Sequence, residues 1–214
     1  SSTTPEDFTI GIENCLKKSG VALGQCETFV HGATIAINTL IEQTGAPTAL
    51  IATAGAGDAY LIGRGNRPEA YNVFFKRTTP LVRRGMIIEA NERMSAKGEA
   101  ILPLSEAEIA AVCKKVAALK PQAIAVCFLH SYVDPTHEQR MGQALRRAFP
   151  GAYISLSHEI LRQYREYVRS STTVVNAYIG PRVATYRQAL GKRLEDQKFS
   201  GTVLVIQSNG GVTS

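Results

Sequence analysis

The chain has 214 residues, enough for one large or two small units with cores of their own. Hydrophobic residues at 44% and charged residues at 20% exclude a disordered or fibrous chain. The formal charge of +6 raises nucleic acid as a partner, yet Lys and Arg are scattered in pairs such as Arg83 and Arg84 or Lys114 and Lys115, with no zinc-finger spacing and no aromatic RNA-binding signature. That pattern argues against nucleic acid and for a basic site that takes phosphate or carboxylate. Cys15, Cys26, Cys113 and Cys127 form no C-x-x-C pair and read as reduced thiols of a cytoplasmic protein. No apolar run reaches bilayer length and no signal-peptide pattern is visible, so no membrane association is expected. Ser1 and Ser214 both read as cuts in a longer sequence, which is an expectation only.

The first predicted helix opens at Thr4, Pro5, Glu6 and Asp7, with a capping hydroxyl, a proline suited to the first turn, and acids that complement the dipole. Phe8, Ile12, Cys15 and Leu16 share its apolar face. A short strand over 27–30 runs into His31 and Gly32, and a helix follows from about Thr34, with Ile37, Leu40 and Ile41 inward. Residues 48–53 (TALIAT) read as a buried strand ending at Gly55-Ala56-Gly57. A long loop is expected over 63–84, then a hairpin from 86–93 and 100–102 turning at Lys97-Gly98. Ser105 and Glu108 form a capping-box pattern before a helix with the stripe Ile109, Val112, Val116 and Leu119. Residues 123–129 (AIAVCFL) read as a central parallel strand, Asp134-Pro135 as another helix start, and 153–156 as the next strand. A helical pattern covers about 163–197 with Val168, Thr172, Val175, Ile179, Val183, Tyr186, Leu190 and Leu194 inward, and Gly180-Pro181 should kink or split it. A last strand over 202–206 leads into Gln207-Ser208-Asn209-Gly210-Gly211. The fold class is α/β.

Several stretches carry chemistry. At 29–38 a strand runs into His31-Gly32 and a helix N-terminus opens near Thr34, where free amides and the dipole suit an anion. Thr34 and Asn38 stand one turn apart and could face that anion; alternatively Thr34 is a cap and His31 a packing residue. Arg64 and Arg67 offer two guanidinium forks in a glycine-containing loop, either for carboxylate or phosphate or as a solvated basic surface. His130 ends an apolar strand, where α/β sites gather, but no second histidine lies at ligand spacing, because His137 falls on the solvent side of the next helix by periodicity. Glu166 and Arg169 could pair on the surface of the long helix. Gly55-x-Gly57 lacks the third glycine of a dinucleotide fingerprint, since Tyr60 stands there.

Five segments in order, HGATIAINTLIE, ATAGAGDAYLIGRGNRP, IAVCFLHSYVDPTHE, REYVRSSTTVVNAYIGP and VLVIQSNGGVTS, resemble the hydantoinase A/5-oxoprolinase family across nearly the whole chain. The resemblance implies an actin/hexokinase-like (ribonuclease H-like) ATPase fold with mixed sheets flanked by helices. It also implies ATP and Mg²⁺ as cofactors, and ATP-driven carbonyl activation that opens cyclic amides. Ketone carboxylation of the acetone or acetophenone type is the alternative, and a non-catalytic partner-binding domain is a third reading. The implied partner is a hydantoinase B-type subunit, with a small cyclic amide as substrate. Carried over by the resemblance, His31, Thr34 and Asn38 are catalytic candidates, and Gly32, Asn209, Gly210 and Gly211 are nucleotide-binding candidates. Arg64, Arg67 and His130 are candidates for substrate or interface, and no residue set is assigned to a metal. Position 33 is Ala where the family usually has a second hydroxyl residue, which weakens a hydroxyl-pair role there. The family's phosphate loops would lie before Ser1 and after Ser214, so the isolated piece is expected to be inactive. Residues 1–84 are expected in an N-terminal lobe and 85–214 in a segment leading into a second lobe, with the changeover near 86–102.

Overall fold

The two most apolar segments of the sequence organise the chain. The computed structural model describes residues 9–66, 69–76, 78–206 and 211–213, so the predicted helix start at Thr4 lies outside the described residues. In chain order the elements are α1 (Thr9–Ser19), β1 (Thr28–Gly32), α2 (Ile35–Ile41), β2 (Thr48–Thr53), α3 (Asp58–Ile62), β3 (Ile87–Ala90), β4 (Arg93–Met94) and β5 (Ala100–Leu102). They continue with α4 (Glu106–Leu119), β6 (Ala123–Cys127), α5 (Thr136–Ala148), β7 (Tyr153–Leu156), α6 (Ser157–Ile160), α7 (Glu166–Asp196), β8 (Thr202–Ile206) and β9 (Val212–Thr213). Contacts divide the chain into Gly45–Pro181 and a smaller unit made of Ser1–Thr44 with Arg182–Ser214.

In the larger unit β2 and β6 are buried at every position. They form the centre of a parallel sheet of order β3-β2-β6-β7. Successive side chains on a strand point to opposite faces, so a strand buried on both sides must be apolar throughout. Ile51, Ile124 and Val126 face one way, onto Ile109, Val112 and Val116 of α4 and Met141 and Leu145 of α5. Leu50, Ala123, Ala125 and Cys127 face the other way, onto Val174 and Ala177 of α7 with Tyr60 and Val82. On the first face Gly142 of α5 permits a close approach, because a Cβ there would stand 2.6 Å from Leu156 Cδ1.

Ser105 caps α4 by accepting from the Glu108 amide at 3.1 Å. The Glu108 carboxylate accepts instead from the amide and side chain of Asn91, so only half of the capping box is present. The predicted hairpin is also divided. Ile87–Ala90 joins the parallel sheet beside β2, and only β4 pairs with β5, around the expected turn, where Gly98 has φ +84°. This hairpin, near the expected changeover between lobes, lies inside the larger unit. Helix α7 continues past Pro181, so of the expected kink or split the split does not occur.

The smaller unit has the mixed sheet β1-β8-β9, with β1 and β8 parallel and β8 and β9 antiparallel. Its core is Leu23, Leu190, Leu194 and Phe199, flanked by Ile12, Leu16, Cys26, Phe29, Tyr186 and Val203. Cys15, predicted inward on α1, is exposed. On α2 the buried positions are Ile35 and Thr39, while the predicted Ile37 and Ile41 are 51% and 76% exposed. Both pairs have helical spacing, and Thr39 is buried at little cost because its hydroxyl bonds Ile35 O at 2.7 Å. The α/β class and the mixed, helix-flanked sheets agree with the expected fold and are consistent with part of an actin-like fold.

Candidate functional site

The carboxyl ends of β2 and β6 in the larger unit gather an unusual set of buried polar groups. Glu92, His137, Glu138 and Arg169 are each 5% exposed or less. Burying such groups costs several kcal/mol (~3–5) unless their hydrogen bonds are made.

Glu138, at the start of α5, meets that requirement fully. One carboxylate oxygen accepts from Phe128 N (2.8 Å) and Ser157 Oγ (2.6 Å), and the other from His158 N (3.1 Å) and His158 Nδ1 (2.7 Å). Glu92 accepts from the Thr53 hydroxyl and from His137 Nδ1 at 2.7 Å. Because His137 Nε2 accepts from Leu104 N at 3.3 Å, its proton sits on Nδ1, which fixes the tautomer. Thr53 in turn accepts from Leu129 N at 2.9 Å. The chain leaving β6 is thereby pinned at Phe128 N and Leu129 N before it turns at His130, whose φ is +57°.

Arg169 enters the same region from α7. Its Nη2 donates to Phe128 O, its Nε lies 3.4 Å from Cys127 Sγ, and its guanidinium carbon stands 5.2 Å from the centre of the Tyr132 ring. Nη1 is buried with no partner. Burial pushes the Cys127 thiol up to about 11 despite the nearby Arg169 charge, so it stays protonated and is no nucleophile. Leu50, Ala52, Ala56, Tyr60, Cys127 and Arg169 line a small recess at this end of the sheet.

Of the sequence candidates in this unit, His130 is half-buried, with Nδ1 3.3 Å from the Tyr132 hydroxyl. Arg64 is exposed, and Arg67 lies outside the described residues. His137, expected to face solvent, is buried; its spacing with Met141 and Leu145 puts it on the inner stripe of α5, a signal that was available in the sequence. Arg169, which the sequence could pair with Glu166 on the surface, is instead 1% exposed. The inner face of α7 there is Arg169, Thr173 and Ala177 with Ser170, Val174 and Tyr178, not the predicted Val168, Thr172 and Val175 series.

The smaller unit holds the other candidates. His31, next to the last residue of β1, is half-buried, its Nε2 hydrogen-bonded to the Tyr186 hydroxyl and its ring stacked on Phe29 at 6.2 Å. Burial lowers the His31 pKa and raises that of Tyr186, so a neutral imidazole accepts from a protonated phenol near neutral pH. Gly32 is exposed, and a Cβ there would make ordinary contact with Ile206 Cδ1 at 3.8 Å. Thr34 precedes α2 without making a side-chain cap bond, and its hydroxyl receives Asn38 Nδ2 at 3.4 Å. Gly211 is exposed, and Asn209 and Gly210 lie outside the described residues. Among the described residues no group of three or more His, Cys, Asp or Glu could hold a metal, and no helix is long and apolar enough to cross a membrane.

A family model described as the hydantoinase/oxoprolinase N-terminal region matches residues 1–149, and one described as hydantoinase/oxoprolinase matches residues 169–214. The caprolactamase subunit alpha of Pseudomonas jessenii is 34% identical over 220 residues, covering 98% of this chain and 32% of that protein. The acetophenone carboxylase gamma subunit of Aromatoleum aromaticum is 27% identical over 230 residues, covering 98% of this chain and 31% of that protein. The crystal structure of the ATP-dependent caprolactamase from Pseudomonas jessenii is similar with a TM-score of 0.87 at 32% identity, covering 98% of this chain and 32% of that one. The chain thus spans about a third of the length of these relatives. With family models matching both its first 149 residues and its last 46, the chain belongs to the hydantoinase/oxoprolinase family.

Proposed function

We propose that this chain is part of a subunit that uses ATP to activate the carbonyl of a cyclic amide for ring opening. The observation that carries the reading is the likeness to caprolactamase, in sequence over 98% of the chain and in structure at a TM-score of 0.87. In this reading His31, Gly32, Thr34 and Asn38 form one wall of the cleft for the transferred phosphate, and Asn209, Gly210 and Gly211 border the nucleotide. A neutral His31 suits hydrogen bonding to a phosphate oxygen or substrate. Residues 28–41 contain no Lys or Arg and the described residues offer no metal cluster, so this wall alone does not fit a triphosphate or Mg²⁺. The balancing cation and further donors come from other parts of the complete polypeptide. Arg64 and Arg67, with the exposed Tyr71 and Phe74 of the same loop, are assigned to a partner of the hydantoinase B type, in the cytoplasm.

The test is ADP formation by the complete polypeptide with its partner, offered caprolactam, hydantoin or 5-oxoproline. Ring-dependent ADP release supports the reading. A second reading, ATP-dependent ketone carboxylation, is favoured by the 27% identity to the acetophenone carboxylase gamma subunit. ADP release that requires both a ketone and hydrogencarbonate, and ignores all three rings, would replace the first reading with the second.

A further inference from the structure

Phe29 and His31 stand two residues apart on β1 and so share one face of the strand. On that face Tyr186 of α7 reaches the imidazole. The two rings stand 5.7 Å apart, and the phenol hydroxyl is hydrogen-bonded to His31 Nε2. Tyr186 is itself held in place. Leu190 and Leu194 follow it on α7 at four-residue spacing and are buried in the smaller unit's core, which Tyr186 and Phe29 flank. Phe29 in turn stacks on His31 and meets Phe199 edge-on. Two rings and one hydrogen bond therefore orient the imidazole.

That hydrogen bond decides where the imidazole proton sits. Phenol is the stronger acid and an imidazole nitrogen the stronger acceptor, so Tyr186 donates and Nε2 accepts. Burial raises Tyr186 and lowers His31, which keeps both groups neutral near pH 7. The ring proton is then on Nδ1, the nitrogen with no hydrogen-bond partner among the described residues. We infer that Tyr186 is a positioning residue that holds His31 in its Nδ1-protonated tautomer, so that His31 meets its ligand as a hydrogen-bond donor and not as a base. This rests on the reading of His31 as part of the wall for the transferred phosphate. There Nδ1–H donates to an oxygen of the phosphoryl group, and no proton changes hands. The same tautomer takes no proton from water or substrate, because Nε2 spends its lone pair on Tyr186 and Nδ1–H has none to offer.

The first measurement is two-bond ¹H–¹⁵N correlation NMR of the complete polypeptide with labelled histidine, near neutral pH. His31→Phe identifies the His31 signals by their loss. The wild-type proton is expected on Nδ1, and Tyr186→Phe, which keeps the ring and removes the donor, should move a large share of it to Nε2. A wild-type proton on Nε2, or a tautomer that ignores Tyr186→Phe, overturns the proposal. If Tyr186→Phe does not fold, the wild-type spectrum decides alone. The second measurement is ADP formation with the partner present, on whichever ring or ketone drives it. In Tyr186→Phe kcat should fall about threefold to tenfold, the worth of one hydrogen bond, while KM for that substrate changes less than about twofold. An unchanged kcat makes Tyr186 a packing residue and overturns the proposal. If the wild type releases no ADP with any substrate, the reading of the reaction fails and the phosphoryl oxygen with it, while the His31 nitrogens still decide what Tyr186 does.

Discussion

The two units treat their reactive residue types in opposite ways. In the larger one Glu92, His137 and Glu138 are buried to 5% exposure or less and spend their hydrogen bonds on backbone amides and on each other. In the smaller one His31 is half-buried with one partner, and Thr34 and Asn38 lie exposed and bonded mainly to one another. A histidine beside a glutamate in the larger unit is therefore a fastener that holds the strand ends, while His31 in β1 stays half-buried with a single hydrogen-bond partner. Residue type alone does not separate these roles; burial and a full set of partners do.

Removing a fastener should have the largest effect on the larger unit. Glu138→Ala leaves Phe128 N, Ser157 Oγ and two donors of His158 without their acceptor, and should cost about 4 kcal/mol. Urea denaturation of the complete polypeptide would measure this, and hydrogen exchange should show the lost protection in β6 and β7 and not in β1 and β8. A loss below about 1 kcal/mol would mean that water replaces the carboxylate, and the network would not be a fastener.

A paired glycine test comes next. Gly142→Ala puts a methyl 2.6 Å from Leu156 Cδ1 in a full core, and the overpacking should cost about 1–2 kcal/mol after the helical gain from alanine. Gly191→Ala, on the smaller unit's part of α7, meets nothing within 4 Å and should stabilise by up to about 1 kcal/mol. Opposite signs in thermal unfolding are the expected outcome.

The sequence was most readable where one physical demand dominated. TALIAT and AIAVCFL had to be buried strands, and they are β2 and β6, with β6 ending at Cys127, two residues short of the expected 129. The Ser105 cap was visible because a hydroxyl three residues before Glu108 leaves few alternatives. Reading failed where polar residues are buried by satisfaction. On α7 the true inner face contains Arg169, Ser170 and Thr173, whose polarity argues for solvent until Phe128 O, Tyr167 O and Arg169 O are seen to receive them. Glu92 carried no periodic signal at all, since its role depends on Thr53 and His137, 39 and 45 residues away. In the smaller unit two stripes of α2 had equal spacing, and the choice of Ile35 and Thr39 came from packing that spacing does not encode.

The smallest predicted effect tests the smaller unit by pH. Burial lowers the His31 pKa below its usual 6.5, so the unfolded chain binds the proton more readily than the folded one. The stability gained by keeping His31 neutral is fully present above about pH 6.5 and is lost as pH falls through that value toward the lowered one. Hydrogen-exchange protection of β1 and β8 should therefore decline between pH 7 and pH 5.5, by a modest amount because the ring is only half-buried. His31→Phe removes the titrating group and keeps the ring beside Phe29 and Tyr186, so the decline should disappear with it. An unchanged decline in that variant would assign the dependence elsewhere and leave His31 free to charge, as a residue open to solvent would be.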